Sequence, residues 1–350
     1  MSRQLLRQGE LVRDTHTIVR HLGSGAFGDV YLSRHRYMGL QAMKVFGFAE
    51  GTEALEEAYL LAKLGHPNIV RMFEANDFER AGARYGYFTM EYVEGGTILD
   101  SFSDETLELS QRINLGRGII SGLAFAHSQT PPVIHRDISP SNILLSREQG
   151  QVTAKISDFG LAKHLDSASL VASAAGKYVY MAPESFLGIH STATDVYSAA
   201  IVLFELLTRQ HPFAFVLSAT ATPKEIAEIV KKSRSQPVPD ATATTPQLSG
   251  CWNDFFRAAL KHDYEQRPKD GNALLILFDE MQASGNPAVR PATNTTSEVH
   301  EMVEKAHKLS QQTDTLDEAI GLLEVACASD STVRERYSDL LSLWKRGIVL

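Results

Sequence analysis

The spacing of apolar positions changes character partway along this chain. In the first hundred residues apolar runs are short and bounded by glycines. Ile18 to Leu22, Val30 to Leu32, Ala42 to Val45 and Tyr87 to Met90 read as strands. Between the third and fourth lies Thr52 to Leu64, with Leu55, Ala58, Leu61, Ala62 and Leu64 at helical spacing. Later the helical period prevails, in Glu105 to His127, Thr194 to Leu207, Trp252 to Leu260 and Leu274 to Met281. One strand-like run, Asn142 to Leu145, and a turn at Glu148-Gln149-Gly150 interrupt it. Residues 216–248 carry less pattern, and the Thr/Ala/Pro-rich stretch Pro237 to Pro246 predicts an exposed loop. Gln282 to Glu298, small and polar, reads as a linker. Three helical patterns follow, Val299 to Leu309, Leu316 to Ala328 and Thr332 to Lys345. Thr315 and Ser331 are N-cap candidates, and Glu318 lies at capping-box spacing from Thr315.

Composition narrows the field. The chain has 350 residues, 43% apolar and 22% charged, which fits a two-lobed globular domain with an appendage. A net charge of -8 gives no basic footprint for nucleic acid or anionic lipid. Two cysteines, Cys251 and Cys327, make neither a disulfide framework nor a metal site and read as packed small hydrophobes. Met1 to Asp14 lacks an apolar signal region. The apolar run Ala199 to Leu207, broken by Glu205, is too short to span a bilayer. The expectation is a soluble, cytoplasmic protein with no membrane and no nucleic-acid partner.

The chemistry concentrates in His135-Arg136-Asp137-Ile138-Ser139-Pro140-Ser141-Asn142 and in Asp158-Phe159-Gly160. Phosphoryl transfer needs a carboxylate to orient the nucleophile's proton and oxygen ligands to hold Mg²⁺ on the phosphates. Asp137 fits the first role; Asn142, five residues on, and Asp158, sixteen further, fit the second. Upstream, Gly23-Ser24-Gly25-Ala26-Phe27-Gly28 forms a glycine hairpin whose backbone can pass close over anionic oxygen. A strand, not a helix, follows its last glycine, which disfavours a dinucleotide fold. Lys44 sits inside an apolar strand, a costly place unless it is paired.

The run H-R-D-x-x-x-x-N with D-F-G downstream resembles the catalytic loop of eukaryotic-type (Hanks-type) serine/threonine protein kinases. The resemblance covers roughly residues 18–281. It implies an α+β, bilobal fold, with a β-rich N-lobe (18–90), a hinge (91–96) and a helical C-lobe (97–281). A lead-in (1–17), the linker (282–298) and an all-α extension (299–350) complete the chain. It implies ATP and Mg²⁺ as cofactors and protein substrates. Glu57, chosen over Glu56 by its spacing to His66-Pro67-Asn68-Ile69-Val70, would pair with Lys44. Leu22, Val30 and Ala42 join Gly23 to Gly28 in the nucleotide set. Met90 would be the gatekeeper, with the backbone of Glu91 to Val93 at the adenine edge. The activation segment runs from Asp158 to Met181-Ala182-Pro183-Glu184, with Ser167, Ser169 and Ser173 as candidate self-phosphorylation sites whose phosphate would pair with Arg136 and order the loop. Asp195 would anchor the catalytic loop. Arg267, in the late D-x-x-x-R-P signature that begins at Asp263, would pair with Glu184.

Two positions depart from the family pattern. A lysine is usual two residues after the catalytic aspartate, where Ser139 stands. A threonine is usual after Gly176, where Lys177 stands. In the family fold these side chains meet beside the catalytic aspartate, so Lys177 would supply the cation missing at Ser139. Tyrosine kinases also lack that lysine, but their loop usually carries an arginine absent here, which favours serine/threonine. Two rivals remain. A nucleotide-binding pseudokinase would recruit partners through the tail, but Lys44, Asp137 and Asp158 are all present. An aminoglycoside-type small-molecule kinase would lack Ala182-Pro183-Glu184, Asp195 and Arg267. The helical tail is expected to bind a partner or the catalytic domain.

Overall fold

A computed structural model describes residues 4–25, 28–47, 64–102, 107–148, 150–159, 178–215 and 222–285, with 303, 305, 306, 316–329, 341 and 344. The chain divides into two compact units, Met1–Gly285 and Asn286–Leu350. The first opens with six antiparallel strands in the order β1-β2-β3-β4-β6-β5. They are β1 (Leu11–Val12), β2 (His16–Gly25), β3 (Gly28–His35), β4 (Gly39–Gly47), β5 (Met72–Arg80) and β6 (Ala83–Glu91). Because side chains alternate along a strand, Tyr31, Met43, Val45 and Tyr87 share one face. There they build a small core with Leu6, Val12 and Ile18.

That core corrects the reading of residues 1–17 as a polar lead-in. Leu6 and Val12 are 1% and 2% exposed, and β2 starts at His16 rather than at Ile18. The run Tyr87 to Met90 lies in the sixth strand, because β1 and the unforeseen β5 precede it.

The helical part contains α1 (Ile98–Ser101), α2 (Leu109–His127), α3 (Thr192–Thr208), α4 (Pro223–Ser233), α5 (Ala241–Thr244), α6 (Cys251–Ala259) and α7 (Gly271–Gly285). A hairpin of β7 (Ile143–Glu148) and β8 (Gln151–Ile156) sits between α2 and α3. Helix α3 is buried on nearly every side, from Ala193 to Thr208, which its all-round apolarity requires. It lies within the core that also takes in α2, α6 and α7. Helix α2 starts at Leu109 and not at Glu105, because Glu108 occupies the N-cap and its N–H donates to the Gln111 side chain at 3.0 Å.

The stretch 237–246 is not wholly an exposed loop. It contains α5, and Ala241 and Thr245 are buried. The linker starts later than its composition suggests, because α7 runs on through Gln282 to Gly285. Residues 52–63 of the predicted helix, 286–298 of the linker and most of the first and third tail helices lie outside the described residues, while Leu64 is buried and not helical. In the second unit the middle tail helix forms as α8 (Leu316–Ser329). Ala319, Leu323 and Ala326 of α8 share a core with Val303, Ala306 and Trp344. Among the described residues no helix is long and apolar enough to cross a membrane.

Candidate active site

Three local devices bring the predicted residues together. The first is the glycine hairpin. β2 and β3 pair out to Gly25 and Gly28, and Gly28 has φ +120°. A Cβ there would stand 1.9 Å from the Val45 carbonyl oxygen, so only glycine lets the hairpin close on β4. Ala26 and Phe27 lie outside the described residues. Leu22, Gly23 and Ser24 form the β2 arm and Val30 lies on β3, where it pairs with Lys44 of β4.

The second device is the pair between Lys44 and Asp158. Lys44 is 4% exposed, and its Nζ lies 3.0 Å from Asp158 Oδ1. The anticipated need of a buried ammonium for a carboxylate is met by this residue from far along the chain. Glu56 and Glu57 lie outside the described residues. Asp158 has φ +58°, a left-handed conformation that a short polar side chain tolerates. Phe159 is buried, with its ring 4.6 Å from that of His135.

The third is the catalytic loop. Asn142 Nδ2 donates to the Asp137 carbonyl at 2.8 Å and to Asp137 Oδ2 at 2.9 Å. This fixes the amide so that its oxygen is presented as the acceptor. Arg136 has φ +69°, a strained state for a long side chain. Asp195, 1% exposed on α3, holds it there. Its Oδ1 accepts from the Arg136 N–H at 2.8 Å, and its Oδ2 from the His135 N–H at 2.6 Å. His127 Nε2 donates to the same Oδ2 at 3.0 Å, while its Nδ1 accepts from the Gly271 N–H at 2.9 Å.

Loop and pair are joined directly. The Ser157 N–H and hydroxyl both donate to the Asn142 carbonyl, at 2.8 and 3.0 Å. His135 Nε2 donates to the Ser157 carbonyl at 2.8 Å. Asp137, Asn142, Asp158 and Lys44 therefore form a chain in which each consecutive link is direct or passes only through Ser157. Met90, Phe88, Met72 and Leu64 line a cavity that reaches Asp158 and Phe159.

At the hinge, the Glu91 N–H donates to the Arg71 carbonyl at 2.8 Å, so a ligand contact from Glu91 must use its carbonyl. Its carboxylate pairs with Lys155 at 2.9 Å. Ser139 is buried, with its hydroxyl 3.0 Å from that of Ser141. Lys177, Gly176, Ser167, Ser169 and Ser173 lie outside the described residues.

From Tyr178 onward the chain is gripped from α3, α4 and the loop between α6 and α7. Arg267 and Glu184, both buried, form the expected bidentate pair at 2.7 and 2.9 Å. Thr194 donates to Glu184, while Arg267 also donates to the Lys261 and His262 carbonyls. Sequence reasoning missed two further grips. Arg234 donates from Nε to the Met181 carbonyl at 3.2 Å and from Nη2 to the Val179 carbonyl, and its guanidinium lies 4.7 Å from the Phe213 ring centroid. His211 Nε2 donates to the same Val179 carbonyl at 2.9 Å, and its Nδ1 accepts from the Phe213 N–H. Burial, reinforced by the Arg234 charge, pushes the His211 imidazole down to about 4 from an ordinary 6.5.

That shift predicts an acid-labile fold. Between pH 6.5 and 4 the unfolded histidine holds a proton that the folded one refuses. Its contribution is complete above pH 6.5 and is lost as pH falls toward 4, by about 3 kcal/mol at the limit. Urea unfolding at pH 7 and pH 4.5 should lose less stability in His211→Gln than in the wild type. Parallel losses would contradict the assignment.

His16, His35 and Glu74 place ligand-type atoms within 4.8 Å of one another. They do not suit a metal. His35 Nδ1 accepts the N–H groups of Tyr37 and Met38, both at 3.1 Å, so Nε2 carries the proton.

Fold and site define a class: a two-lobed α+β domain with an antiparallel sheet over a helical body and a lysine–aspartate pair at their junction. The chain belongs to the protein kinase domain family, whose sequence profile matches residues 16–278. It is 34% identical over 221 residues to a probable serine/threonine-protein kinase PknB of Lactococcus lactis, covering 60% of this chain and 34% of that protein. It is 33% identical over 264 residues to the serine/threonine-protein kinase PknJ of Mycobacterium bovis, covering 72% of this chain and 43% of that one. A mitogen-activated protein kinase kinase kinase 7 of Drosophila melanogaster shares 32% over 202 residues, 56% of this chain and 29% of that protein. The chain thus spans between a third and under a half of the two bacterial relatives' length.

Proposed function

We propose that this chain is an ATP-dependent, Mg²⁺-requiring kinase that transfers the γ-phosphoryl group to serine and threonine hydroxyls of proteins, its own included. The observation that carries this reading is the contact chain that joins Lys44, on the strand against which Gly28 packs, to Asp158, and through Ser157 to Asn142 and Asp137. ATP is the donor substrate, with its adenine toward Met90 and the hinge residues Glu91 to Val93. Lys44 would neutralise phosphate charge. Asp137, oriented by Asn142, would accept the hydrogen bond of the acceptor hydroxyl and align it. Asn142 and Asp158 present an amide oxygen and a carboxylate, a hard-oxygen set suited to Mg²⁺. When bound, the ion offsets the charge that builds on the transferring group. The names of the bacterial relatives support serine and threonine as acceptors.

Lys177 is assigned the role of the cation missing at Ser139, a single charge that can be delivered from either side of the transferring group. Lys177→Ala should lower kcat about a hundredfold, the scale of one lost charge contact to a developing anion. Ser139→Lys with Lys177→Thr should recover part of the loss. Near-wild-type kcat in Lys177→Ala would end this assignment.

The activity is tested by incubating the intact chain, and one truncated near Asn286, with ATP and Mg²⁺ and mapping phosphosites by mass spectrometry. Phosphate on Ser167, Ser169 or Ser173 and on an added protein substrate is expected. A difference between the two chains would report a role for the helical tail in partner or self docking. Turnover of a small alcohol with no labelled protein would favour a small-molecule kinase, and nucleotide binding without any transfer a pseudokinase.

A further inference from the structure

Asp29 follows the last glycine of the hairpin and lies across from Ser24 in the β2–β3 ladder. Its two oxygens serve opposite neighbours. Oδ1 accepts from the Ser24 hydroxyl at 2.5 Å and lies 3.5 Å from His21 Nε2. Oδ2 accepts from the Tyr31 hydroxyl at 3.1 Å and from the Leu5 N–H at 3.5 Å. The Tyr31 oxygen in turn accepts from the Leu6 N–H at 3.0 Å. Burial works to raise the Asp29 carboxyl, but these donors outweigh it and hold the group below the ordinary carboxylate range. A charged carboxylate thus stands beside a hairpin built for anions, and bonds on both sides keep it from swinging toward them.

The segment that supplies Leu5 and Leu6 is itself docked. Leu6 and Val12 lie in the core on the far face of the sheet. The Gly9 N–H donates to the Ile18 carbonyl, and the Ile18 N–H to the Glu10 carbonyl, at 2.8 and 2.9 Å. Arg80 grips Glu10 through two bonds of 2.7 and 3.1 Å. A continuous relay, Leu6 to Tyr31 to Asp29 to Ser24, therefore runs from this docked segment to the arm of the glycine hairpin.

We infer that residues 4–12 are a latch that sets nucleotide affinity by fixing the glycine hairpin through Tyr31 and Asp29. Asp29 and Tyr31 are positioning residues: they act on ATP through Ser24 and the hairpin backbone. The inference rests on the reading that this hairpin covers ATP. It also gives the N-terminal segment a means of regulation, since whatever lifts Leu6 from the sheet loosens the grip on phosphate.

The test is equilibrium binding of ATP with Mg²⁺ to the full chain, alongside melting temperature. Tyr31→Phe keeps the buried ring and removes only the hydroxyl that links Leu6 to Asp29. It should weaken ATP binding about fivefold, the scale of one hydrogen bond. Arg80→Ala, whose side-chain bonds go to Glu10, should weaken binding in the same direction by releasing the segment. A merely structural role would lower the melting temperature of both variants and leave ATP affinity unchanged. A folded Tyr31→Phe that binds ATP within about twofold of wild type would overturn the inference while leaving the kinase reading intact. Failure of the wild type to bind ATP would remove both.

Discussion

Asp137→Ala should lower kcat by about a hundredfold to ten-thousandfold, the range for removing a group that takes or aligns the reacting proton. The fold should survive, because the side chain is only half-buried. Asn142 should also stay in place, since its Nδ2 keeps the bond to the backbone carbonyl of residue 137 at 2.8 Å. ATP affinity should therefore change little, and the loss should sit in kcat rather than in KM for ATP. Steady-state kinetics with ATP varied at saturating protein substrate separates these parameters. A variant with kcat above about a tenth of wild type would show that Asp137 is not the aligning carboxylate.

Asp195→Ala should be the most damaging change away from the nucleotide. Three buried donors end on this carboxylate: the His135 and Arg136 N–H groups and His127 Nε2. Alanine leaves all three unpaired in a dry interior, a cost of about 3–5 kcal/mol. It also releases Arg136 from the left-handed backbone that places Asp137, so activity should fall together with stability. Asp195→Asn keeps the shape and one good acceptor and should lose roughly half as much stability. Urea unfolding measures the difference. A loss under about 1 kcal/mol in Asp195→Ala would mean that the loop is held by other contacts.

The two carboxylates also show what was legible in the sequence. Asp137, Asn142 and Asp158 stood out because phosphoryl transfer constrains both their chemistry and their spacing. Asp195, Glu184 and Arg267 were legible only through resemblance, since nothing local marks a carboxylate in an apolar helix as the anchor of a loop sixty residues earlier. Lys44 announced a need for a partner, and the partner it meets among the described residues, Asp158, lies beyond reach of any local pattern.

The misses have particular causes. Leu6 and Val12 belong to two isolated apolar pairs, Leu5-Leu6 and Leu11-Val12, in a charged stretch, with no period to reveal that they pack against a sheet. β5 is rich in charged and amide residues and lies at the sheet edge, where the solvent-facing pattern is blurred. Helix α4, by contrast, carried its signature openly. Thr222 caps it, Pro223 opens it and Glu225 closes the capping box, but the run of small residues before it, Ser218 to Ala221, and the polar stretch after it hid it. Arg234 and His211 could not have been found by motif. Their role comes from a shared carbonyl, that of Val179, which only the folded chain brings between them.

The central claim is that four side chains from β4, the catalytic loop and the segment after β8 form one magnesium–triphosphate site. Calorimetric titration of the intact chain with ATP, with and without Mg²⁺, tests it most directly. The account predicts saturable one-to-one binding that tightens with Mg²⁺ and loses that tightening in Asp158→Ala. No binding, or binding with the same Mg²⁺ dependence in Asp158→Ala, would contradict it.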